Sequence, residues 1–345
     1  MKIGFTYDLK EDWVSSKDDP ADASAEFDKP ETVDEVIMAL EAGGHQVVRI
    51  GGINNLTRQI QALDVDIVFN ICEGILGRNR ESQVPILLEM NRIPYVGSDA
   101  LTQAITLDKS VAKKCFVADG IRTPGYLVAN NLSDLEQMND MSFPLFVKPC
   151  YEGTSKSITE SSCVRDMEGL RTQVDLIHKR YNQPALVEKF IRGTECTVAV
   201  IGNEDAQAMP VIQIRIDGTL DLGDRFYKNA DVYSQSSGYV CPAELPGELI
   251  AEIQQMALAV YKSVGCRDFG RVDFRIDEQG VPYVLEINPL PYLGKEDVFN
   301  CFPQARGATY EETINQILNY ALRRCGLIGD SRADGKSEAV SAGAV

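Results

Sequence analysis

The sequence predicts an α/β fold class at its start and antiparallel sheet near its end. Three observations carry this. In the first third, strand-like apolar runs alternate with stretches of helical spacing, the pattern of a parallel sheet covered on both faces. Between residues 269 and 289, two runs alternate polar and apolar residues on either side of a Gln-Gly pair, the pattern of a hairpin with one wet face. And 345 residues exceed one ordinary core, so two or three domains are expected.

The elements follow in order. Residues 2–6 (Lys-Ile-Gly-Phe-Thr) open as a strand, with no signal-peptide pattern. Residues 10–30 are charged, mostly acidic, and read as a loop. Residues 32–42 put Val33, Val36, Ile37 and Leu40 on one helical face, and Gly43-Gly44 stops that helix. Strands are expected at 45–50 and 65–70, a helix around 82–90, and an extended run at 94–96. A helix over 108–119 leads to a strand at 143–149 that carries Lys148 near its end. The loop 150–157 (Cys-Tyr-Glu-Gly-Thr-Ser-Lys-Ser) is rich in small residues that free backbone N–H groups for an anion, although an ordinary surface turn competes with that reading. The Walker spacing G-x-x-x-x-G-K-[ST] is absent. Residues 185–191 and 194–201 are strands, 217–238 a long polar mobile loop, 249–264 an amphipathic helix, 309–325 the last helix, and 329–345 a disordered tail.

Composition excludes several classes. With 51 acidic and 34 basic residues the net charge is -17, a field that repels nucleic-acid backbones. No apolar run approaches a membrane span. Nine cysteines without a C-x-x-C pair read as buried, reduced thiols of a cytoplasmic protein, with Cys115, Cys196 and Cys301 each beside apolar residues. The two histidines, His45 and His178, read as turn and surface residues, which disfavours zinc hydrolases and Ser-His-Asp triads.

The hairpin carries the chemistry. Arg271 and Asp273 share one strand face, and so do Glu286 and Asn288. With Gln279 and Gly280 as the two central turn residues, Asp273 lies opposite Glu286 and Arg271 opposite Asn288. Facing carboxylates repel, and a hard cation with oxygen ligands such as Mg²⁺ removes that cost. A plain solvated strand face is the competing reading.

The order of motifs resembles the ATP-grasp ligases, and within them the D-alanine–D-alanine ligases. The resemblance rests on Lys109, Lys148 with its Gly-containing loop, Glu188-Lys189, Glu195, Arg271-x-Asp273 and Glu286-x-Asn288, and spans most of residues 60–325. It implies a Rossmann-like N-terminal domain (1–105) and an ATP-grasp fold of two α+β lobes (106–185 and 186–328). It implies that Lys109 and Lys148 contact phosphates and that Gly153, Thr154 and Ser155 cover them, with Thr154 standing where the family has its loop serine. Glu188, Lys189 and the Ile191 backbone would meet the adenine edge, and Glu195 the ribose. Asp273, Glu286 and Asn288 would hold two Mg²⁺ ions, with Mn²⁺ as the alternative, and Arg271 would steady the oxyanion. Lys228 stands where the family's omega-loop lysine reaches the terminal phosphate. ATP would activate a carboxylate as an acyl phosphate, which an amine converts to an amide.

The departures lie on the amino-acid side. The family's glycine-rich motif, whose glutamate holds the first substrate's amine, gives way to residues 7–13 (Tyr-Asp-Leu-Lys-Glu-Asp-Trp). Its histidine-glycine gives way to Asn70-Ile71-Cys72-Glu73-Gly74, its omega-loop tyrosine to Asn229, and its Gly-Met-Thr to Tyr292-Leu293-Gly294. Glu73, Arg78 and Arg80 are candidates for a different acid and amine site. The expected activity is an ADP-forming acid–amino-acid ligase, either of peptidoglycan synthesis or of another biosynthetic pathway. The rival from another class is a nucleotide-binding regulatory protein without turnover. Small-molecule acids and amines are the expected partners, and a homodimer is left open.

Overall fold

The computed structural model of the protein describes residues 1–17, 19–138, 141–228, 231 and 237–329. The expected tail, apart from Gly329, and Asn229 lie outside the described residues.

The first layer is β1 (Lys2–Thr6), α1 (Pro30–Ala42), β2 (Gln46–Arg49), α2 (Ile53–Gln59), β3 (Ile67–Asn70), α3 (Gln83–Met90) and β4 (Tyr95–Val96). Its four strands run in the order β2-β1-β3-β4 and every pair is parallel, as the alternation predicts. Ile3, Phe5, Ile67, Val68 and Phe69 are fully buried because helices cover the sheet. Pro30 starts α1 with its φ already helical. The helix α2 went unread: Ile53, Leu56 and Ile60 recur at helical spacing, but over only two turns.

Two short helices, α4 (Ala100–Leu107) and α5 (Lys109–Ala118), lead to the second layer. Asp99 and Asp108 cap them by accepting backbone N–H groups of Thr102 and Ser110. The second sheet comprises β5 (Tyr126–Ala129), β6 (Leu145–Pro149), β7 (Cys163–Val164) and, after α6 (Met167–Tyr181), β8 (Ala185–Lys189). It is antiparallel in the order β5-β8-β6-β7, and Leu170, Val174 and Ile177 of α6 share a core with Leu145, Val147 and Val187.

The third layer holds β9 (Gly193–Ile201), β10 (Gln207–Ala208), β11 (Ile212–Ile216), β12 (Ser237–Val240), α7 (Gly247–Ser263), β13 (Phe269–Asp277) and β14 (Pro282–Asn288), then α8 (Val298–Ala305) and α9 (Tyr310–Arg324). Its sheet is antiparallel, β12-β11-β9-β13-β14, with β10 also on β9. The last helix returns to the first layer: Ile314, Ile317 and Leu318 share a core with Ile3, Phe5 and Val36. Gly43 permits this, since a Cβ there would stand 2.0 Å from the Asn315 amide oxygen.

Two sequence expectations change. Residues 217–228 are not an open loop, because Leu222 and Phe226 are buried anchors within that polar stretch. All nine cysteines are free, as expected, but Cys115 and Cys301 are half-buried and only Cys196 of the three named is fully buried. No helix among the described residues is long and apolar enough to cross a membrane.

Candidate active site

The second and third sheets and the loops of the first enclose a cavity of about 340 Å³. All the residues expected to meet nucleotide, metal or oxyanion except Lys228 line it. Neither histidine does.

The hairpin supplies one wall. Asp273 pairs with Glu286 across the ladder and Arg271 with Asn288, as expected, but by a different route. The turn is not two residues: Asp277 and Val281 close it around Glu278, Gln279 and Gly280. That turn alone would put Leu285 opposite Asp273. The register then shifts between Asp273 and Phe274, so that Leu285 becomes the extra residue and Glu286 returns to face Asp273.

Arg271 grips Asp273 with both arms, Nε to Oδ1 at 3.0 Å and Nη2 to Oδ2 at 2.9 Å. Thr197 donates its hydroxyl to Oδ1 at 2.6 Å. One lone pair of Oδ2 therefore stays available. Glu286 lies 3.4 Å from the Lys109 ammonium and 3.7 Å from that of Lys148. Burial pushes its carboxyl up, but the two lysines and Arg271 outweigh burial and hold it at about 2. Asn288 accepts the Leu290 N–H at 2.9 Å, which fixes its amide at the strand end. Two carboxylates and an amide oxygen are a hard donor set without sulfur or imidazole, so these residues fit Mg²⁺. Among the described residues no group of three or more His, Cys, Asp or Glu converges as a metal site, so the amide is needed as the third ligand.

Glu188 is buried with Lys113 at 2.5 Å and Lys148 at 2.9 Å. Its carboxylate, expected at the adenine edge, thus holds the two lysines. Lys148 stays charged despite burial because Glu188 and Glu286 face it. Lys109 also donates to the Glu152 carbonyl at 2.5 Å. Glu195 is held by Arg275 at 3.1 Å. Ile158, Phe190 and Phe226 form a small apolar cluster at the cavity, and Ile191 makes no backbone hydrogen bond among the described residues.

The loop 150–157 departs from expectation. Thr154 and Ser155 take left-handed φ of 45° and 52°, unusual for side chains of their kind. Its N–H groups were expected to be open to phosphate. Instead Gly153 donates to Glu26 at 2.7 Å and Ser157 to Asp22 at 2.7 Å. The anions there are the protein's own carboxylates, carried by the acidic stretch that reads as a solvated loop. Glu26 is also forked by Arg80 at 2.7 and 3.0 Å and met by Lys156 at 2.9 Å. Burial raises its carboxyl, yet Arg80 and Lys156 hold it at about 2. The signal for this fold-back lay in two aromatics inside the acidic stretch: the rings of Trp13 and Phe27 lie 5.3 Å apart, tilted by 57°. Of the suggested trio, Glu73 lines the cavity and Arg80 serves Glu26, but Arg78 turns to Asp108 at 3.0 Å outside it. Lys228 also lies off the cavity, its ammonium paired with Glu160.

Comparison with known proteins decides the family. The family described as D-ala D-ala ligase C-terminus matches residues 120–319. The chain belongs to the D-alanine–D-alanine ligase family. A D-alanine–D-alanine ligase of Pelotomaculum thermopropionicum is 30% identical over 86% of this chain and 92% of its own. An uncharacterized protein of Sinorhizobium fredii is 31% identical over 84% and 87%. The solved D-alanine–D-alanine ligase of Bacillus anthracis complexed with ATP superposes with a TM-score of 0.73 at 26% identity, over 95% of this chain and 99% of that one. The fold is therefore the ATP-grasp fold expected from the family's motifs. The cavity carries lysines, an arginine and paired acids, and further acidic residues from the first layer's loops.

Proposed function

We propose that the protein is an ATP-dependent, ADP-forming ligase that joins the carboxylate of one amino acid or short peptide to the amine of another. One observation carries the reading: Lys109, Lys148, Arg271, Asp273 and Glu286 converge on a single cavity between two antiparallel sheets. The apolar cluster of Ile158, Phe190 and Phe226 suits a nucleotide base, with the Ile191 backbone at its edge and Glu195 near the ribose. Lys109 and Lys148 would offset phosphate charge, which phosphoryl transfer demands more than acid–base groups. Asp273, Glu286 and Asn288 would hold two Mg²⁺ ions, which when bound supply further neutralisation of that charge.

A substrate carboxylate oxygen attacks the γ-phosphorus as the bond to ADP breaks. The amine nitrogen then attacks the acyl carbon, loses its proton, and inorganic phosphate leaves. Arg271 donates to the oxygen that gains negative charge between these events. Enclosure of the cavity would keep water from the acyl phosphate.

The test is phosphate release from ATP, with and without Mg²⁺, over a panel of D- and L-amino acids, with product mass read in parallel. Release that requires Mg²⁺ and yields a condensed product supports the reading. Nucleotide binding without release for any pair would favour a regulatory protein, and absence of nucleotide uptake in magnesium buffer would overturn the whole assignment. Release with D-alanine alone would place the enzyme in cell-wall synthesis.

A further inference from the structure

Arg275 takes no part in the scheme above, yet it lines the same cavity and is only 3% exposed. It follows Asp273 by two residues on β13, so the period of the strand puts it on the same face. The residue directly opposite it on β9 is Glu195, and its Nη1 donates to the Glu195 carboxylate at 3.1 Å. Its Nη2 donates to three backbone carbonyls, those of Gly193 at 3.1 Å, Gly223 at 3.3 Å and Arg225 at 3.0 Å. One guanidinium thus ties β9 to the segment that carries Phe226. Its central carbon also lies 5.0 Å from the ring centre of Phe190, which shares the apolar cluster with Phe226.

Stability alone is a weak reason for this arrangement. The desolvation cost of a buried ion pair can exceed its attraction, and the Arg275 Nε is buried with no acceptor among the described residues. The two glycine carbonyls do not need the guanidinium. Gly193 already accepts the Leu222 N–H at 3.2 Å, and Gly223 accepts the Gly193 N–H at 3.1 Å. What does depend on Arg275 is Glu195. Burial raises that carboxyl, Arg275 opposes the rise, and the nearby Asp273 and Glu286 add to it. Among the described residues no other lysine or arginine nitrogen lies within 4 Å of Glu195. With Arg275 and the Tyr227 N–H as its donors, the carboxylate keeps about two of its roughly four lone-pair sites for a ligand. A vicinal diol brings two hydroxyl donors, and an ionised carboxylate accepts them more strongly than a neutral acid does.

We infer that Arg275 is a positioning residue for the nucleotide: it fixes the Glu195 carboxylate against the ribose diol and, through the Gly223 and Arg225 carbonyls, holds Phe226 against the base. This rests on the nucleotide half of the ligase reading, in which Glu195 stands near the ribose. The probes are ATP and 2′,3′-dideoxy-ATP, which lacks both ribose hydroxyls. Each is titrated by calorimetry with Mg²⁺ into the full chain and into its Arg275→Met and Glu195→Gln variants. The readout is the ratio of the two affinities, which a general loosening of the fold does not move. The unmodified chain should prefer ATP by about tenfold or more, the size expected for hydrogen bonds to a charged group. Arg275→Met should cut that preference to less than about threefold, as Glu195→Gln does, because both remove the held carboxylate. A cooperative melt shows that a variant is folded. Should Arg275→Met not fold, Arg275→Gln, which keeps an amide donor for the carbonyls without the charge, is read by the same ratio. Equal affinity of the unmodified chain for both nucleotides, or a preference unchanged in the folded Arg275 variant, would overturn this inference and leave the ligase reading standing. Failure of the unmodified chain to take up either nucleotide would overturn that reading and this inference with it.

Discussion

Replacing Arg271 by lysine isolates the proposed role of its guanidinium. Arg271 makes two hydrogen bonds to Asp273, at 3.0 and 2.9 Å, and its other arm lies 3.9 Å from Asp297. Lysine keeps the positive charge beside Asp273 but can offer only one well-aligned bond, because its ammonium is a point charge and not a planar fork. Arg271→Ala would be a poorer test, since it leaves Asp273 without its counter-charge and mixes a metal-site effect into the result. The ground state should therefore lose little beyond one charge-assisted hydrogen bond, about 1.5–3 kcal/mol before solvent screening. The transition state should lose a positioned oxyanion donor, worth about 10²–10³ in kcat. The assay is steady-state phosphate release for kcat, with calorimetric ATP titration in Mg²⁺ for affinity. We expect kcat to fall by about two orders of magnitude while the ATP Kd moves by less than about threefold. An ATP Kd that rises by the same factor as kcat falls would refute the oxyanion role and make Arg271 a nucleotide-site residue.

Other outcomes follow from the same geometry. Asp273→Asn turns one carboxylate oxygen into an amide donor facing Arg271 or Thr197, and Glu286→Gln removes the charge shared by Lys109 and Lys148; each should abolish measurable turnover while circular dichroism stays native. Full activity in either would remove the metal assignment. Lys228→Ala should leave ATP affinity within about twofold, because Lys228 pairs with Glu160 away from the cavity; a tenfold loss would return Lys228 to the nucleotide site. Asp28→Asn should raise the melting temperature more at pH 8 than at pH 5. With a folded pKa of about 8 against 3.8 unfolded, the native chain keeps a proton the unfolded chain has lost, so its contribution to stability declines as pH rises between those values. A melting shift independent of pH would contradict that titration.

The half of the site proposed to meet phosphate was legible because its residues sit on regular strands, where a period of two fixes which side chains share a face. Lys148 on β6 and the Arg271–Asp273 and Glu286–Asn288 pairs are of this kind. The rest of the cavity wall was not legible, because its residues come from segments without a period. Glu26 and Asp28 stand in an acidic loop whose charge suggested solvent, yet Trp13 packs against Phe27 and both carboxylates are buried at the cavity. Arg78 and Arg80 are two residues apart on the same loop and pair with different carboxylates, one with Asp108 and the other with Glu26, which no spacing rule separates.

The hairpin shows how a correct pairing can come from a wrong turn. A two-residue turn and a three-residue turn with one bulge both bring Glu286 opposite Asp273, since each error of one residue flips a strand's faces and two cancel. The two solutions differ in what they do to Leu285. In an unbroken ladder it would alternate to the face opposite Glu286. As the inserted residue it is among the residues that line the same cavity as Glu286. An apolar residue in such a wall excludes water and strengthens every charge contact around it. Under the proposed reaction the bulge would therefore do more than restore register: it would place an apolar residue beside a hydrolysis-prone acyl phosphate.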